Sequence, residues 1–159
     1  MAYLNMAREY RDAANQLLDL DQGCAFSNPT NFLYFHAVEL ALKAFLRSFN
    51  CPIIGTRRKS HKLRQLYEEC RSLGLRVGPD DRIGIANIVD LLGAGNESQG
   101  FRYFNLGSVA VPHLSRTRQV VEDLMHAVEA RVTPPDNQSG TPGPPAKLII
   151  AYGVPVPKR

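Results

Sequence analysis

Apolar positions recur along this chain with the period of a helix, in blocks separated by polar stretches and by Gly and Pro. The most apolar block is residues 31–49, NFLYFHAVELALKAFLRSF, which contains neither Gly nor Pro and is rich in Ala, Leu and Phe. Leu33, Ala37, Leu40, Ala41, Ala44 and Phe45 make one face of the predicted helix. Val38, Leu42, Leu46 and Phe49 carry the apolar character most of the way round. A helix apolar on nearly all sides belongs in the middle of a bundle. One narrow stripe interrupts it: His36, Glu39, Lys43 and Arg47 fall on a single side at helical spacing.

The other blocks supply the packing partners. Residues 3 to 18 read as a first helix, with Leu4, Ala7, Tyr10 or Ala14, Leu17 and Leu18 on one side and Arg8, Glu9, Arg11 and Asp12 on the other. Asn28-Pro29-Thr30 leads into the central helix, with Pro in the first turn, and Asn50-Cys51-Pro52 closes it. Ser60 is the predicted N-cap of a third helix over 61–73. Leu63, Leu66, Tyr67, Cys70 and Leu73 share its apolar face, and Gly74 is its stop. Asp80 or Asp81 caps a short fourth helix carrying Ile83, Ile85, Ile88, Val89, Leu91 and Leu92, which Gly93 to Asn96 should end. Residues 97–112 read as irregular, with Val109 to Val111 locally extended. A fifth helix runs from about Pro112–Ser115 to Arg131 on Leu114, Val120, Val121, Leu124, Ala127 and Val128.

Composition changes at Val132. TPPDNQSGTPGPP cannot build a core and is expected to be a disordered linker, followed by LIIAYGVPVP as a docking segment or the end of a tail. The expected fold is therefore an all-α, up-and-down bundle of four to five helices over 1–131, with a flexible Pro/Gly-rich extension over 132–159.

At 159 residues, 44% hydrophobic and 21% charged, the chain suits one globular domain. No apolar run has the length of a membrane span, and the first residues lack a signal-peptide plan. Cys24, Cys51 and Cys70 have no C-x-x-C spacing, so reduced thiols in a cytoplasmic protein are the expectation. The net charge of +4 depends on a cluster at Arg57, Arg58, Lys59 and Lys62 and on Lys158 and Arg159; without these six the balance turns negative. A basic footprint is thus local, either a solvated loop or a phosphate contact near a helix N-terminus. There is no P-loop, G-x-S-x-G, G-x-G-x-x-G or paired-Cys motif, which removes the common hydrolase and nucleotide-cofactor chemistries. His113 and His126 stand without a partner at metal-ligand spacing, so neither a metal nor a cofactor is expected.

Three phrases occur in order: H-A-V-E-L-A-L-K-A-F-L in the central helix, S-H-K-L-R-Q-L-Y at the third and F-R-Y in a later loop. Over residues 3 to 131 the chain resembles the HEPN superfamily, small helical bundles found in prokaryotic conflict systems. The resemblance implies a helical bundle, often a homodimer, in a defence or toxin–antitoxin setting, frequently acting as a metal-independent ribonuclease. In active members four to six residues lie between an Arg and the His that follows it. Here no histidine follows Arg102 in range; Arg57 and His61 stand too close together and ahead of the third helix. The resemblance thus favours an accessory module that binds RNA, a nucleotide or a partner protein over a catalyst. A divergent endoribonuclease and a non-catalytic assembly protein are the alternatives.

The candidate groups each carry two readings. Glu39 and Lys43 are placed for an ion pair across a buried seam, joined by Arg102 or His61; alternatively Glu39 orients an arginine or a ligand hydroxyl in a cleft. His36, one turn earlier, reads first as a hydrogen-bonding core residue and second as a weak catalytic candidate. His61 lies where a helix N-terminus disfavours a charged imidazole, which suits either a packed capping group or a neutral base. Arg102 beside Tyr103 suits a grip on phosphate or base, or a strut to Glu39. A contact surface of His61, Lys62, Arg102 and Tyr103, with Glu39 and Lys43 behind it, is the expected ligand site.

Overall fold

The computed structural model describes residues 2–20, 27–51, 62–78, 84–101, 110 and 112–132. Five helices make up most of them: α1 (Ala2–Leu20), α2 (Ser27–Ser48), α3 (Leu63–Ser72), α4 (Ile85–Glu97) and α5 (Leu114–Val132). Among the described residues there is no strand, and no helix is long and apolar enough to cross a membrane. The all-helical bundle expected from the periodicity is the observed architecture. The expected extension beyond Val132 and the segment around Val109 and Val111 lie outside the described residues.

α2 is the hub. It packs against each of the other four helices, most extensively against α1 and then α5. Tyr34, Phe35, Ala37, Val38, Ala41, Leu42, Ala44, Phe45 and Leu46 are all buried on it. No neighbouring element can lie against water on such a helix without leaving apolar area exposed, which is why it takes the centre.

α1 runs antiparallel to both α2 and α5. Tyr10 stacks on His36 of α2 with ring centroids 5.1 Å apart, and Asn15 accepts a 2.8 Å hydrogen bond from the Tyr34 hydroxyl. Towards α5, Arg8 meets Glu129 at 2.7 Å, Asn15 donates to Glu122 at 2.7 Å and Arg118 donates to Asp19 at 2.6 Å. This polar ladder fixes the register of the first helix on the last. Its ends bring Ala2 and Val132 together, lining one small hollow with Tyr3, Ala44 and Arg47. α3 and α4 also pair antiparallel, with Leu63 against Gly93 and Arg64 donating to Asp90.

The helix ends explain where sequence reasoning was right and where it was short. α3 ends in a Schellman motif: Gly74 at φ 95° donates to the Arg71 carbonyl and Leu75 to that of Cys70, each at 3.0 Å. α2 ends the same way on Asn50 at φ 54°, so the stop is a left-handed residue and precedes Pro52. α2 begins at Ser27, which puts Pro29 in its first turn as predicted. α4 departs most. It continues through Gly93-Ala94-Gly95-Asn96 and stops only where Gln99 adopts φ 57°. Gly95 is there for contact, because a Cβ on it would fall inside the Phe101 ring. Lys62 is the N-cap of α3 and makes no side-chain capping bond. The predicted caps Ser60, Asp80 and Asp81 lie outside the described residues.

Candidate functional site: an ionic strip and two surface clefts

The middle of the polar stripe on α2, Glu39 and Lys43, sits in the protein interior. Glu39 is 3% exposed and Lys43 8% exposed. Lys43 Nζ donates to Glu39 Oε1 at 2.5 Å, one turn along the same helix. His36 Nδ1 stands 3.7 Å from Glu39 Oε2, and its ring, a quarter exposed, is flanked by Tyr10, Phe32 at 4.5 Å and Phe35 at 5.2 Å between centroids. Arg47, the last member of the stripe, is exposed. The helical spacing that aligns these groups follows from an uninterrupted α2, and burial makes the pairing obligatory, since a lone buried charge is very costly. The pair is thus brought together as expected. His61, Arg102 and Tyr103, the groups expected to join it, lie outside the described residues.

A second buried polar group lies nearby on α2. The hydroxyl of Thr30 and both amide atoms of Asn31 are buried and make no hydrogen bond. Tyr34, one turn on, is satisfied by Asn15, and burial pushes its phenol up to about 12. Cys70 is buried with its Sγ towards the Leu42 carbonyl at 3.4 Å; burial raises its thiol to about 12, so it stays protonated and unreactive.

Lys62 stands, exposed, at the N-terminal end of α3, where it lines a groove of about 430 Å³ between α3 and α4. The groove is not basic: Arg64 is bonded to Glu68 at 2.6 Å and Asp90 at 2.7 Å, and Glu97 also lines it. Among its described lining the carboxylates outnumber the cations.

A cleft that sequence reasoning missed has the opposite character. It measures about 390 Å³ and is lined by Phe45, Phe49, Leu73, Leu75, Ala127, Arg76 and Arg131, with Gly74 at its edge and no acidic residue in the lining. The Arg131 guanidinium lies 4.7 Å over the Phe49 ring, and Arg76 Nη1 is anchored on the Leu75 carbonyl at 3.0 Å. Arg71 lies 5.9 Å over Tyr67 nearby. The signal in the sequence was a basic residue in the last turn of three helices, Arg47, Arg71 and Arg131. Such residues complement the helix dipole, and of the three Arg131 lines this cleft.

His113 lies ahead of α5 with Nδ1 2.9 Å from Ser115 Oγ, and His126 is exposed on α5. Among the described residues no three potential metal ligands cluster.

These features define a class: a five-helix bundle whose central helix carries a closed, buried ion pair and whose surface carries an arginine-rich cleft. Comparison with family models, with curated proteins and with solved structures finds no match for the chain.

Proposed function

We propose that this chain is a HEPN-like accessory module that binds RNA or a nucleotide and has no efficient catalysis of its own. The observation that carries the reading is the cleft at Phe49, Arg76 and Arg131, which offers two guanidinium groups and an aromatic face with no carboxylate among its lining residues. Arginine held over an aromatic ring presents its N–H edge to a phosphate, while the apolar floor accepts a base or a sugar. The buried strip supports the non-catalytic half. Glu39 is already bound to Lys43, and His36 packs among three rings, so these groups brace α2. A prokaryotic defence or toxin–antitoxin setting belongs to the same proposal and rests on the sequence resemblance alone.

Labelled single-stranded RNA, incubated with the protein in EDTA, tests both halves. Binding without cleavage, weakened at least tenfold by Arg76→Ala with Arg131→Ala and weakened again by added salt, is the expected result. Binding unaffected by the two substitutions would move the contact away from this cleft. Cleavage that survives EDTA and is lost in Arg102→Ala would replace the module by a ribonuclease.

A further inference from the structure

The arginine cleft opens at the point where the chain leaves the bundle. Arg131 lines it, and α5 ends one residue later at Val132. Phe49, Leu73 and Ala127 line it half-buried, so apolar area stands open to water beside that exit. The two charged side chains of the lining, Arg76 and Arg131, are exposed and can only donate hydrogen bonds.

Beyond Val132 one run of the sequence is apolar: residues 148–157, LIIAYGVPVP. It carries no charge, and Lys147 and Lys158 stand outside it on either side. Its composition answers the cleft in three ways. Leu148, Ile149 and Ile150 supply side chains for the apolar floor. Tyr152 supplies an aromatic face for Arg76, since the Arg131 guanidinium already lies 4.7 Å over the Phe49 ring. Pro155 and Pro157 contribute carbonyls without an N–H of their own, so the segment offers acceptors to side chains that only donate. The same prolines favour an extended backbone before binding, which lowers the entropy lost on docking.

The tether makes weak contacts sufficient. Residues 133–147 join α5 to the segment and are rich in Pro, Gly and Ser. A linker of that length has a root-mean-square reach of roughly 20 Å and extends to at most ~50 Å. Because it starts one residue from Arg131, it holds the segment at an effective concentration of millimolar order. A free peptide of the same sequence has no such advantage.

We propose that the cleft at Phe49, Arg76 and Arg131 is the docking site of the chain's own residues 148–157. The docking stands independently of the RNA reading above; where both hold, RNA enters the cleft only by displacing the segment.

Photo-cross-linking in the full chain tests it. With p-benzoylphenylalanine in place of Tyr152, irradiation at low micromolar chain, far below the effective concentration, joins residue 152 to Phe49, to Leu73 through Arg76 or to Ala127 through Arg131 of the same chain. Ile149→Asp with Ile150→Asp lowers that yield about tenfold or more. Helicity is unchanged, since both positions lie outside the five helices. A second measurement keeps Tyr152 in place: in two-dimensional NMR the same double variant moves the resonances of Leu73, Ala127 and Arg131 and leaves those of Met6 and Asp90 still. Cross-links that are absent, that map to another face, that join two chains or that survive the double variant would each overturn the proposal. So would cleft resonances that do not move.

Discussion

Replacing Lys43 by Met should unfold this bundle more readily than any surface change. The methionine keeps the length and apolar stem of lysine but removes the ammonium that lies 2.5 Å from Glu39. Both side chains are nearly out of water. Breaking a buried pair by removing one partner costs about 3–5 kcal/mol, because the remaining charge has lost its solvation without compensation. Lys43 is slightly open and His36 stands 3.7 Å from the other carboxylate oxygen, which places the expected loss near the lower end, at about 3 kcal/mol. For a chain of this size that is a fall in Tm of roughly 6–12 °C, or about 1–3 M in the urea midpoint. The companion variant, Lys43→Met with Glu39→Gln, removes the stranded charge and should recover at least half of the loss. Urea melts at neutral pH read both variants. A loss under 1 kcal/mol for Lys43→Met, or a double variant no better than the single, would show that this pair is not what neutralises the strip.

The paired glycines of α4 should separate in sign. Gly93→Ala meets only Leu63 Cβ at 3.8 Å and should gain about 0.5–1 kcal/mol from helix propensity, whereas Gly95→Ala drives a methyl into Phe101 and should lose about 1–3 kcal/mol, as read by thermal melts. Tyr34 is held neutral by burial above its usual 10, so a phenolate titration followed by ultraviolet absorbance should show one tyrosine ionising near 12. The stabilisation from its neutral form is complete below pH 10 and is lost as pH rises through 12; in Tyr34→Phe both the late step and that loss should vanish. Of the described thiols, half-exposed Cys51 should react with a maleimide in the native protein at pH 8, while Cys70 should react only on unfolding.

The sequence was most informative where periodicity and burial coincide. α2 could be read as the hub because an apolar helix has only one place to go, and the Glu39–Lys43 pair because i, i+4 spacing fixes neighbours on any straight helix. Helix ends were less legible. Gly74 was identifiable since glycine is the cheap left-handed residue, but Asn50 and Gln99 adopt the same conformation without announcing it. Gly93 and Gly95 looked like a terminator and are packing devices, a distinction set by Leu63 and Phe101 from other segments. The arginine cleft was hidden for a related reason. Arg76 and Arg131 are 55 positions apart in the chain, and only the meeting of α5 with the turn after α3 brings them to one hollow. His61, Lys62, Arg102 and Tyr103 were chosen for their sequence context, and of these the described fold holds Lys62, in a groove rich in carboxylates.

The meeting of Ala2 with Val132 gives the bundle a ring-like connectivity. A few glycines and serines could join the two positions, and new ends opened between α2 and α3 would leave every helix contact in place. Such a circular permutant should fold with the same helices and similar stability.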